Sequence, residues 1–143
     1  RMPQDNLFDH YYPIDKINDA LKISDVVILT LPLTKATQNM FNEERLLKIK
    51  EGAVLINISR GGIINETDIE NVYDHFLGIA LDVFNTEPLP SQSKLWEIPN
   101  VTITPHNSFV SDVTRDRMFQ LIIENLETFI TGQEIKNLIN LVN

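Results

Sequence analysis

AVLINISRGGIINE, residues 53–66, decides the fold. Val54, Leu55 and Ile56 make an apolar run of strand length. The chain then reaches a cation, Arg60, passes two glycines, and opens a new helical pattern at Asn65. A strand apolar on both faces belongs inside a parallel sheet whose faces are covered by helices. Gly61 and Gly62 suit a turn that requires positive φ. A surface arginine beside such a turn is the plain explanation of Arg60. An arginine displayed at the mouth of a site is the other, and it needs partners elsewhere in the chain.

Working outward, the same helix-then-strand alternation repeats. PIDKINDALKIS places Ile17, Ala20 and Leu21 on one helical face, and DVVILTLPL follows as a buried strand ended by Pro32. NEERLLKIKEG has Asn42 as its N-cap and Gly52 as its stop before the strand AVLINIS. NETDIENVYDHF, capped by Asn65, leads into LGIALDVF, and NVTIT follows a Pro-rich loop. These units predict an α/β fold of parallel β-α units with helices covering the sheet. A last helix is expected from Ser111, as its cap, to about Thr131, with Gly132 as its stop. Its stripe of Met118, Leu121, Ile122, Leu126, Phe129 and Ile130 is read as core packing. The tail QEIKNLINLVN, poor in polar breaks, is expected to dock.

A length of 143 residues suits one domain with a real core. A formal charge of -8 without a Lys/Arg run argues against nucleic-acid and membrane-surface partners, which need clustered cations. No cysteine is present, so disulfides and thiolate-bound zinc are excluded, and no metal site is expected. The opening RMPQDNLFDHYY has no signal-peptide core, and the longest apolar run, Val26 to Leu33, is too short to span a bilayer. Cytoplasm is the default expectation. His10, His75 and His106 are the histidines available for acid–base work.

Ligands of open parallel sheets bind beyond the carboxyl ends of the strands. The residue just past each strand is therefore informative: Arg60 after AVLINIS, Glu87 after LGIALDVF, His106 after VTITP. Each alone has an innocent explanation as a solvated or locally satisfied side chain. Together they put a guanidinium, a carboxylate and an imidazole on one sheet edge. The carboxylate favours the charged imidazolium, and the guanidinium can hold a substrate carboxylate through two hydrogen bonds. That trio suits a carbonyl next to a carboxylate.

DVVILTLPLTKAT, GAVLINISRGGIINE, ALDVFNTEPLP and TPHNS, in this order and spacing, resemble the second half of the nucleotide-binding domain of the D-isomer-specific 2-hydroxyacid dehydrogenases. The resemblance implies an α/β fold with a Rossmann-like, doubly wound parallel sheet, here incomplete, NAD or NADP as cofactor and a small 2-oxo or D-2-hydroxy acid as substrate. Arg60 would bind the substrate carboxylate. His106 would protonate the carbonyl oxygen during reduction and take the proton back in reverse, and Glu87 would orient His106 and raise its pKa. Leu31, Pro32, Ile58 and Ser59, with Arg60 and His106, would lie along the cofactor. Asp82 would stand near the nicotinamide carboxamide, and Asn107 and Ser108 would follow into the same cleft. A homodimer is implied as well.

The chain departs from the family pattern in two places. VYDHFLGIALD is about two residues shorter than expected for the family. No G-x-G-x-x-G occurs, so no glycine turn delivers a pyrophosphate to a helix N-terminus. Residues 1–143 are accordingly read as the C-terminal part of a dinucleotide-binding domain. The family carries a glycine motif and a substrate domain in the part upstream of Arg1; either such residues belong to the natural protein or the chain associates through the unpaired edge of its inner strand, and in both cases this chain alone is expected to be inactive. The competing expectation is a non-catalytic remnant or interaction module of the same fold. A phosphate-cradling hydrolase is disfavoured by the absence of G-x-x-x-x-G-K-[ST]. Glyoxylate, hydroxypyruvate, pyruvate and 3-phosphohydroxypyruvate all stand open as substrates.

Overall fold

The computed structural model describes residues 8–132. The chain forms two compact units, Arg1–Ser108 and Phe109–Asn143.

In the first unit the elements run α1 (Ile17–Leu21), β1 (Val26–Leu29), α2 (Glu43–Leu46), β2 (Val54–Asn57), α3 (Glu66–Val72), β3 (Gly78–Leu81) and β4 (Val101–Ile103). The strands form one sheet in the order β1-β2-β3-β4, and every pairing is parallel. That is the expected product of successive strand-helix-strand units. The register sets Leu29 beside Asn57 and Asn57 beside Leu81. The C-terminal ends of the first three strands therefore finish level.

Val27, Leu29, Leu55, Ile79 and Leu81 point to one face, where they join Leu21, Phe41, Leu46, Ile49, Ile63, Ile64 and Ile69 in the core. Each such side chain contributes roughly 1.5–3 kcal/mol by leaving water. The other face differs from expectation. The run DVVILTLPL reads as apolar on both sides, yet Val26 and Ile28 are 52% and 55% exposed. Nothing among the described residues covers this face of β1.

The helices are shorter than their sequence patterns. Asn42 caps α2 as predicted, its side-chain oxygen accepting from the Arg45 N–H. The helix stops after one turn because the Lys48 and Ile49 N–H groups bond to the Arg45 and Leu46 carbonyls, three residues back. Gly52 takes positive φ, at +76°, where the chain reverses into β2. Asn65 caps α3 by accepting from the Thr67 N–H. Gly61 and Gly62 are a correction: neither adopts positive φ. They begin a 3-10 turn, Gly61–Ile63.

In the second unit, α4 spans Thr114–Ile130. It begins three residues after the predicted cap. The Ser111 hydroxyl pairs with the Thr114 hydroxyl at 2.8 Å instead of capping the helix. Gly132 follows its end with φ +70°. The stripe read as core packing is also corrected, because Met118, Ile122, Leu126, Phe129 and Ile130 are all exposed. The tail QEIKNLINLVN lies outside the described residues. Among the described residues no helix is long and apolar enough to cross a membrane.

Candidate active site

The predicted site residues come from the carboxyl ends of β1, β2, β3 and β4. After β2 the chain turns at once. The side chain of Asn57, the last strand residue, accepts from the Ser59 N–H at 3.1 Å and from the Ser59 hydroxyl at 2.6 Å. Its amide donates to the Arg60 carbonyl at 3.2 Å. This is a side-chain mimic of a backbone turn. It leaves Arg60 extended and exposed, with Nη1 donating to the Ser59 carbonyl at 2.6 Å. No ion pair involves Arg60 among the described residues. A guanidinium has five N–H donors, so it retains capacity for a carboxylate.

Gly61 explains how this turn fits. A Cβ there would overlap the Phe84 carbonyl group, and it would lie 2.5 Å from the Asn85 nitrogen. The β2 turn therefore packs backbone to backbone against the segment that leaves β3. Glycine is required by close approach and not by φ.

The segment after β3 carries Glu87, whose bond to Pro88 is cis. Glu87 Oε1 accepts from the Phe84 N–H at 2.9 Å, and Oε2 meets His106 Nδ1 at 2.7 Å. The hydrogen bond from His106 comes first, and the Phe84 N–H second, among the causes that hold Glu87 below the usual carboxylate range. An ionised carboxylate only accepts, so His106 Nδ1 carries the hydrogen of this bond.

His106 stands after β4 at φ +52°. That left-handed backbone costs a non-glycine residue on the order of 1 kcal/mol or more. The turn is held by Asp82, buried at the end of β3. Asp82 Oδ1 accepts from the Thr104 hydroxyl at 2.5 Å and the Asn107 N–H at 2.9 Å, and Oδ2 accepts from the Ser108 N–H at 3.0 Å. Burial alone would raise the Asp82 pKa, but the hydrogen bonds from Thr104, Ser108 and Asn107 outweigh it and hold the group at about 2.

Arg60, Gly61, Gly62, Phe84, Glu87 and His106 line one open pocket of roughly 400 Å³, together with Leu33, Gln38 and Asn85. The three candidate catalytic residues thus face a common space. A second pocket, of roughly 530 Å³, is lined by Thr30, Leu31, Pro32, Leu33, Ile58, Ser59 and Arg60. It gathers the predicted cofactor segments of two strand ends and shares Arg60 with the first. Its walls mix the apolar side chains of Leu31, Pro32, Leu33 and Ile58 with the polar groups of Thr30, Ser59 and Arg60. Asn107 and Ser108 sit beside Asp82, their N–H groups directed to its carboxylate. His10 and His75 are not in this group; His75 Nε2 is 2.8 Å from the Ile49 carbonyl. No cluster suited to a metal ion occurs among the described residues.

Sequence reasoning missed Asn57 and Thr104. The signal for Asn57 was present, since it is a polar residue inside the otherwise apolar run Ala53 to Ile58. Thr104 resembles any strand threonine and carried none.

The family model for the NAD binding domain of D-isomer specific 2-hydroxyacid dehydrogenases matches residues 1–108. A glyoxylate reductase of Korarchaeum cryptofilum is 37% identical over 132 residues, 91% of this chain and 39% of the relative. A glyoxylate/hydroxypyruvate reductase B of Pectobacterium carotovorum is 36% identical over 126 residues, 87% of this chain and 39% of the relative. Among solved structures, a D-isomer specific 2-hydroxyacid dehydrogenase family protein of Aeromonas salmonicida superposes with a TM-score of 0.80 at 38% identity, covering 93% of this chain and 43% of the other. A family enzyme of Xanthobacter autotrophicus in complex with NADPH and MES gives 0.78 at 31% identity, covering 91% and 54%. The chain spans less than half the length of the curated relatives it matches.

Proposed function

Because the chain belongs to the NAD-binding domain family of the D-isomer specific 2-hydroxyacid dehydrogenases, we propose that the full-length protein interconverts a 2-oxo acid and a D-2-hydroxy acid with NAD(P) as redox partner. The observation that carries this reading is the 2.7 Å pairing of His106 Nδ1 with Glu87 in a pocket shared with Arg60. That arrangement supplies an oriented acid–base group beside a cation able to hold a carboxylate.

In this reading Arg60 grips the substrate carboxylate in a two-pronged contact, which fixes the C2 carbonyl in the pocket. His106 Nε2–H donates to the carbonyl oxygen and gives up its proton as charge develops there; in the reverse direction Nε2 accepts the hydroxyl proton. Glu87 holds the ring through Nδ1 and so orients it in the pocket. Leu31, Pro32, Ile58 and Ser59, with Asp82, Asn107 and Ser108, would hold the nicotinamide cofactor. The bound nicotinamide supplies the hydride chemistry.

Relatives named glyoxylate and hydroxypyruvate reductases support a small 2-oxo acid as substrate. Structure neighbours carrying NADPH or NADP support a nicotinamide cofactor. We take the full-length protein to act as a cytoplasmic homodimer, as the family resemblance implies. The test is spectrophotometric: NADH and NADPH oxidation by the full-length protein with a panel of 2-oxo acids. Turnover with at least one acid supports the reading, and none with any acid refutes it.

A further inference from the structure

The turn from β2 into α3 carries Arg60, and the segment leaving β3 carries Glu87. One side chain crosses between the two. Glu66, the first residue of α3, accepts the Asn85 N–H through Oε1 at 2.5 Å. Asn85 lies between Phe84, whose N–H donates to Glu87 Oε1 at 2.9 Å, and Glu87 itself. A carboxylate that accepts a backbone N–H makes a bond roughly twice as strong as a neutral acceptor does. An acidic residue in the first turn of a helix ordinarily serves that helix. Here Asn65 already caps α3 by accepting from the Thr67 N–H, and among the described residues Glu66 enters no ion pair. Its carboxylate is directed at the other loop.

We propose that Glu66 is a positioning residue that clips the Glu87 loop to the turn carrying Arg60, and so sets Glu87 against His106. The inference deepens the dehydrogenase reading and rests on it for the roles of Glu87 and His106. Without Glu66 the Asn85 N–H turns to water, and the Phe84–Glu87 segment that orients the Glu87 carboxylate loosens. The bond from His106 Nδ1 to Glu87, 2.7 Å with the clip in place, weakens with it. Arg60 keeps its place, because Asn57 holds that turn independently through Ser59 and the Arg60 carbonyl.

The test is steady-state kinetics in the full-length protein. Glu66→Ala should lower kcat by roughly 10- to 100-fold, as expected when a reacting group is misplaced by up to about 1 Å. The KM for the oxo acid and the Kd for NADPH should stay within about threefold of wild type. Glu66→Gln should keep kcat within about fivefold of wild type, because the carboxamide oxygen still accepts the Asn85 N–H. Since Glu66 works through Glu87, adding Glu66→Ala to Glu87→Gln should cost less than about threefold more. Where Glu66→Ala does not fold, Glu66→Asp keeps the charge at the start of α3 but falls one methylene short of Asn85, and should lose about tenfold in kcat.

Equal losses in Glu66→Ala and Glu66→Gln would tie the effect to charge and not to the Asn85 bond, and would overturn the inference. Fully additive losses in the double variant would show that Glu66 does not act through Glu87, and a lower melting temperature with unchanged kinetics would reduce it to a structural support; either overturns it as well. Should the wild-type protein reduce no 2-oxo acid, the dehydrogenase reading fails separately, and NMR decides the clip. Faster exchange at the Asn85 amide in Glu66→Ala, with a moved His106 ring resonance, supports it, and an unmoved ring resonance contradicts it.

Discussion

Gly61→Ala tests the geometry of the site through a single methyl group. The new Cβ would overlap the Phe84 carbonyl and lie 2.5 Å from the Asn85 nitrogen, all backbone atoms of the segment leaving β3. Backbone cannot rotate away, so either the β2 turn lifts or the Glu87 loop retreats. Overpacking a tight site costs typically 1–3 kcal/mol and more where nothing can yield, so we expect at least about 3 kcal/mol here. Gly62→Ala is the internal control. Its Cβ would meet Leu33 Cδ2 at 3.3 Å and Asn85 Oδ1 at 3.5 Å, both side-chain ends that can move, and it should cost about 1 kcal/mol or less. Melting temperatures of the two variants in the full-length protein give the comparison, with roughly 2–4 °C expected per kcal/mol for a domain of this size or larger. Gly61→Ala should lie several degrees below Gly62→Ala and should lose kcat/KM, because the displaced elements carry Arg60 and Glu87. Equal stability and equal activity for the two variants would refute the close-approach argument.

Arg60→Lys should lower kcat/KM by about 30-fold to several hundredfold, because an ammonium cannot reproduce the planar two-pronged contact; steady-state kinetics on the preferred 2-oxo acid check it. Glu87→Gln should lower kcat by roughly 10- to 100-fold with little change in KM, since a carboxamide cannot accept from both the Phe84 N–H and His106 Nδ1. The Asp82 carboxyl, held at about 2 against an ordinary value near 4, should add on the order of 2 kcal/mol of stability. A depressed carboxylate pKa stabilises the fold above the unfolded value, and that stability is lost as pH falls from about 4 through about 2. Denaturant unfolding of wild type and Asp82→Asn at pH 7 and pH 3 should show the gap between them narrowing at the lower pH.

Much of the sheet was legible because apolar runs and helix caps are local signals. Asn42 and Asn65 cap their helices as their positions suggest, and the parallel pairing of the strands follows from helix-strand alternation. The grouping of the candidate residues was legible for a related reason: parallel strands deliver whatever follows them to one edge, and Arg60, Glu87 and His106 line one pocket. What the sequence hid depends on tertiary surroundings. Ser111 looked like a cap, but its hydroxyl found Thr114. Periodicity in α4 marks an apolar face without saying what covers it, and the face is exposed. Gly61 looked like a positive-φ glycine because composition cannot distinguish a turn from a close backbone contact. Asp82 was placed at the cofactor by resemblance, and only the hydrogen bonds show it tied to the His106 turn.

The central claim is that His106, held by Glu87 and facing Arg60, transfers a proton to a 2-oxo acid. It is tested most directly by measuring kcat for oxo-acid reduction at saturating NAD(P)H in the full-length protein and its His106→Gln variant side by side. The account predicts a loss of about 10² to 10⁴-fold in kcat, the usual contribution of a positioned acid, with nicotinamide cofactor binding unchanged. Comparable turnover in the two proteins would contradict it.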